Sequence, residues 1–101
     1  MKDSLSAENI LRAGVVYCDQ LRAMMAPAFC AVSVLSQLKS VKSKFKLAIE
    51  ENVENLNLGL KPQVLAITNE MLEIHADELE VRLPLVVRKL NELRDCLKLH
   101  D

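Results

Sequence analysis

Apolar residues recur along this chain at intervals of three and four, the spacing that gathers side chains on one face of an α-helix. Ser6 is a capping residue type and Glu8 follows it in what would be the first turn, so a first helix is predicted over about 7–25. Ile10, Leu11, Gly14, Tyr17, Cys18, Leu21, Met24 and Met25 fall on one arc of it, with Arg12, Asp19 and Ala23 opposite. A second helix, over about 28–58, carries Leu35, Leu38, Val41, Phe45, Ile49, Val53 and Leu56 as a continuous stripe. Ser33, Ser36, Ser40 and Ser43 lie on its other side. That row reads as a solvated face of small residues, although a phosphorylation strip or a close-packing face would use the same pattern.

The turn after the second helix is predicted at Asn57-Leu58-Gly59-Leu60-Lys61-Pro62. Gly59 can take the left-handed conformation that closes a helix, and Pro62 suits the first turn of the next one, where its missing N–H would have no partner. A third helix, over about 62–82, has Glu70, Glu73, Asp77 and Glu80 on one strip. An antiparallel hairpin folded about Gly59 sets Lys39 opposite Glu80, Lys42 opposite Asp77 and Lys46 opposite Glu73, with Leu38, Phe45 and Ala48 facing Val81, Ile74 and Met71. Flanking charges of this kind select register more than they add stability.

The third segment has a second apolar face, Leu65, Leu72, Leu79, Leu83, Val86, Leu90, Leu93 and Leu97. From Leu79 onward it alternates four- and three-residue steps, a heptad seam that keeps its phase through Pro84. Pro27 and Pro84 each either kink or break a helix. The pairing with the second helix becomes poor beyond Pro84, which favours a fourth helix over about 85–100. The expected architecture is all-α, one helical domain over 1–101, with the hairpin about Gly59 extended to a four-helix bundle.

Composition supports that fold. Half of the residues are hydrophobic, yet Tyr17, Phe29 and Phe45 are the only aromatics, and two glycines and three prolines leave little for the turns of a sheet protein. A net charge of −1 removes the basic footprint of a nucleic-acid binder. Cys18, Cys30 and Cys96 have no paired spacing, so they read as small apolar residues in a reducing compartment rather than as a disulfide framework or a zinc site. The start of the chain has no apolar signal core. The uncharged stretch between Arg22 and Lys39 is interrupted by Pro27, Ser33 and Ser36 and is short for a membrane span. A cytoplasmic protein is expected.

Candidate chemistry is sparse. His75 falls within the apolar arc of the third segment and could titrate near neutral pH, but no nucleophile or ligand cluster accompanies it, and it reads as a half-buried packing residue. Carboxylate neighbours such as Glu50 and Glu51 point to different sides of a helix. No Glu-x-x-His pair suggests a di-metal bundle. Arg94-Asp95-Cys96-Leu97-Lys98-Leu99-His100 resembles the arginine, polar residue, then histidine motif of the all-helical HEPN ribonuclease family. The resemblance covers these seven residues and implies RNA cleavage by Arg94 and His100 across a dimer interface. A cationic last turn that favours the helix dipole accounts for the same residues.

These observations point to a non-enzymatic adaptor, chaperone or regulatory subunit that binds a partner helix, or a second copy of itself, by burying aliphatic surface. Leu79, Leu83, Val86, Leu90, Leu93 and Leu97 are the expected protein interface, or else the closing face of the monomer core. No cofactor, metal, nucleic acid, small molecule or membrane is expected as a partner. A HEPN-like ribonuclease and a membrane-interacting helical protein are the alternatives.

Overall fold

Ala7, Ile10, Tyr17, Leu21 and Met24 are buried on one face of the first helix, so its apolar arc does become core. The computed structural model describes the backbone of residues 2–25 and 31–98 and the side chains of residues 5–25 and 34–97. Pro27, Cys30, Ser33's side chain and His100 lie outside those ranges, and so does the question of a kink or break at Pro27. Four helices are present: α1 (Lys2–Ala23), α2 (Ala31–Val53), α3 (Leu60–Leu72) and α4 (Leu79–Lys98), with a short 3-10 turn at Ala76–Glu78 leading into α4. They form a helical bundle, as the periodicity predicts.

The packing is that of two antiparallel hairpins. In the first, the Asn9 Nδ2 donates to Asn52 Oδ1 at 3.1 Å and the Tyr17 ring stacks on Phe45 at 4.6 Å between centroids, so α1 and α2 run in opposite directions. In the second, Lys89 of α4 pairs with Glu70 of α3, and the Cys96 thiol lies 3.4 Å from Gln63 Oε1. Hydrogen bonding to Glu70 and then Glu92 holds the Lys89 ammonium above the usual lysine range. One apolar cluster drawn from all four helices joins the hairpins.

The helix bounds depart from the sequence reading in instructive ways. Helix α1 begins at Lys2, so Ser6 is an interior, buried residue rather than its cap. Helix α2 stops at Val53, five residues before the expected end. Asn52, Asn55 and Asn57 are poor helix-interior residues, and the chain tightens into i→i+3 bonds from Asn55 N–H to Asn52 O and from Leu56 N–H to Val53 O. Gly59 has φ −75° and ψ −31°, a right-handed conformation, so the expected left-handed closure does not occur. Asn57 does the work instead. Its Oδ1 accepts the Leu60 N–H at 2.8 Å and its carbonyl accepts both Leu60 and Lys61 N–H, which caps the start of α3.

Moving the pivot from Gly59 to Asn57 shifts the register of α2 against the following segment by about one helical turn. Lys42 therefore meets Ile74, and Lys61 pairs with Glu54 at 3.0 Å. The predicted pairs of Lys39, Lys42 and Lys46 with Glu80, Asp77 and Glu73 are not formed. Of the predicted apolar partners, Phe45, Ile74 and Met71 are buried, but Val81 is 78% exposed.

A further correction concerns Pro84. Helix α4 continues through it without a break, and the chain breaks at Glu73–His75 instead. Pro84 sits in the second turn of α4 on the exposed side, and the bond it deletes would have ended on the carbonyl of exposed Glu80, where water can replace it. The break at Glu73–His75 contains no glycine or proline. Its orphan carbonyls are taken by side chains from the other three helices. Tyr17 OH of α1 donates to Met71 O at 2.8 Å, Lys42 Nζ of α2 to Ile74 O at 2.9 Å, and Arg82 Nη2 of α4 to Glu73 O at 3.0 Å. Helix ends leave such carbonyls unpaired, and cationic donors suit them.

Two predictions follow from this core. A Cβ on Gly14 would stand 2.8 Å from Leu90 Cδ1 and 3.8 Å from Phe45 Cε1. Gly14→Val is expected to lower stability by about 1 to 3 kcal/mol in urea unfolding, through overpacking between α1 and α4, and by less in a Leu90→Ala background. An equal cost in both backgrounds would contradict this close approach.

The second concerns pH. Burial, more than the opposed effects of Arg22 (lowering) and Asp19 (raising), pushes the Cys18 thiol from 9.0 up to about 11, and burial also raises the Tyr17 phenol. Above about pH 9 the unfolded chain gives up the thiol proton that the folded chain keeps, so stability falls as pH rises. The urea midpoint is expected to drop between about pH 9 and about pH 11, and to drop less in Cys18→Ala. A decline of the same steepness in that variant would contradict the assignment.

Candidate docking groove

The six leucine-seam residues lie inside the monomer. Leu79, Leu83, Val86, Leu90, Leu93 and Leu97 are all buried, Leu93 completely, and Leu90 faces Gly14 of α1. A partner that used the whole seam would first have to lift α4 off α1. Leu79 is the exception in position, because it also lines an open groove at the end of the bundle where α1 stops, α2 starts and α4 begins.

That groove encloses about 660 Å³. Met24 and Met25 at the end of α1, Val34 and Leu35 at the start of α2, and Ala76 and Leu79 give it apolar walls, while Asp77 and Glu80 stand on the side of the 3-10 turn. A smaller recess of about 290 Å³ adjoins it and shares Leu35 and Ala76. Lys39, Lys42 and His75 stand around this second recess. Leu35 is 65% exposed and Met25 43% exposed, so both present apolar surface to solvent where the sequence pattern had placed them in the core. The break contributes to this: α3 ends at Leu72, and the chain that follows it is extended at His75, so among the described residues α3 does not continue alongside Leu35.

The rims of the two recesses carry opposite charges. Lys42 is committed to the Ile74 carbonyl. Among the described residues, Lys39 and Lys46 have no carboxylate within ion-pair distance, and Glu73, Asp77 and Glu80 have no cation. All five are exposed. Met25 at the end of α1 is a residue type suited to adaptable contacts, but it shares the helical spacing of the buried arc with Met24, so the sequence does not mark it as surface.

The remaining candidates are placed as follows. His75 is exposed rather than half-buried, because it lies in the break and caps the 3-10 turn, its carbonyl accepting the Glu78 N–H at 3.1 Å. Arg94 is exposed on α4, and its proposed companion His100 lies outside the described residues. Ser36, Ser40 and Ser43 are exposed. Cys18 is buried and Cys96 half-buried, and burial raises the thiol pKa of both, which works against a reactive thiolate. Among the described residues no cluster of three or more His, Cys, Asp or Glu is placed to hold a metal ion, and no helix is long and apolar enough to cross a membrane. Comparison with family models, with curated proteins and with solved structures found no match.

Proposed function

We propose that this chain is a non-enzymatic protein-binding module, an adaptor, chaperone or regulatory subunit, that takes an apolar helical segment into the groove beside Leu35. The observation that carries this reading is the joined pair of apolar recesses at one end of the bundle, with exposed Leu35 shared between them. Burying such aliphatic surface supplies affinity, and the charged rims on either side supply orientation. The leucine seam contributes indirectly. It fixes α4 against α1 and α3, so that Leu79 and Ala76 form a firm wall.

Concave apolar surfaces that accept an amphipathic helix recognise it by anchors at three- and four-residue spacing. A segment with two such anchors would cover Met25 and Leu35 together. Leu35→Asp is expected to abolish partner capture by the full-length chain while changing unfolding stability by no more than about 0.5 kcal/mol, because the side chain is already largely in water. Partner capture that is undiminished in both Leu35→Asp and Met25→Asp would exclude the groove as the binding surface.

A further inference from the structure

We propose that the segment received by the groove is the corresponding end of a second copy of this chain, in a two-fold symmetric dimer. This inference rests on the protein-binding reading above and names its partner. The argument is charge complementarity within a single patch. The exposed Leu35 divides a basic side, Lys39 with Lys46 beyond it, from an acidic side, Asp77 and Glu80. Neither side is neutralised by an ion pair within the chain, among the described residues.

A two-fold interface brings the same surface of each protomer together, so it needs a patch that complements itself on rotation. A patch of one sign would repel its copy. Here a rotation axis passing beside Leu35 sets the basic side of each protomer against the acidic side of the other, and makes each contact twice. The two Leu35 side chains then meet near the axis and cover each other together with Met25. A partner of different sequence would have to reproduce the same division of charge, whereas a second copy carries it already.

The complementary charges also explain a feature of the sequence that the monomer leaves unused. Lysines and carboxylates at matching helical spacings imply a designed register, yet the shift of the turn to Asn57 separates them within one chain. Between two chains Lys39 can pair with Asp77 and Glu80, which stand in the 3-10 turn and the first turn of α4, because the interface supplies a new alignment.

The test is a charge exchange in the full-length protein, read by mass in solution and by mixing. The wild-type chain is expected to show a concentration-dependent dimer. Lys39→Glu alone, and Asp77→Lys with Glu80→Lys in a single chain, are each expected to weaken self-association by about tenfold or more, because each places like charges in both copies of the contact. Mixing the two variant chains restores opposite charges at both contacts, so a heterodimer is expected to form in preference to either homodimer. These positions are exposed, and unchanged circular dichroism and melting would show that each variant is folded. A wild-type mass that stays monomeric, dimer strength indifferent to the substitutions, or a mixture with no heterodimer would overturn the proposal. A monomeric wild type that still loses partner capture through Leu35→Asp would sink self-association alone and leave the protein-binding reading standing. Loss of both dimer and capture in Leu35→Asp, with heterodimer recovery in the mixture, would support the two together.

Discussion

The break between α3 and α4 leaves peptide carbonyls without partners in their own helix, from the buried Met71 O through the part-buried Ile74 O to the exposed Glu73 O. Met71, Glu73 and Ile74 each receive a side-chain donor, from Tyr17, Arg82 and Lys42 respectively. These donors come from three different helices. A buried carbonyl left without a partner costs about 1 to 3 kcal/mol, a cost that falls on Met71 O, the buried acceptor of the three, and so makes the bond from Tyr17 of α1 the one on which the break depends most. Tyr17 is the most deeply committed of the three: it is 1% exposed, stacked on Phe45, and bonded at the end of α3. Through it α1, α2 and α3 share one point of contact.

The groove is a consequence of the same break. By stopping at Leu72, α3 leaves Leu35 of α2 largely exposed, and the 3-10 turn brings Asp77 and Glu80 to the rim. The leucine seam of α4 then serves the interior. Its alternating spacing puts the six apolar residues on one face that packs close to Gly14, where the absence of a side chain on α1 makes room for Leu90. Apolar surface that a sequence pattern would offer to a partner is consumed by the fold, and the surface that remains open is the end where the pattern loses its neighbour.

Periodicity made the fold class and the phase of the apolar seam over 79–97 legible, although the sequence reading divided that stretch at Pro84 and left open whether the seam faces a partner or the core. The turn was legible in place but not in chemistry: Asn57 caps the next helix through its side chain, and Gly59 stays right-handed. The break at Glu73–His75 was hidden because it contains no glycine or proline, and the donors that satisfy its carbonyls come from other helices. Pro84 was misleading for the complementary reason, since the bond it removes falls on the solvent side of α4. A local signal is there in retrospect, the acidic run Asp77, Glu78 and Glu80, which suits the first turn of a helix that starts after the break. The lysine–carboxylate ladder depended on an unbroken third helix and on a pivot at Gly59, and it fails as an intrachain feature with both. The groove was not legible, because Leu35 follows the core spacing of α2 and only the three-dimensional end of α3 exposes it.

The central claim is that donors from the other helices hold the α3–α4 break in place. Urea unfolding of Tyr17→Phe tests it most directly, since the substitution keeps the ring that stacks on Phe45 and removes only the donor to Met71 O. A loss of about 1 to 3 kcal/mol, with the helical circular dichroism of the native state unchanged, is the result this account predicts. A variant as stable as the wild type would contradict it.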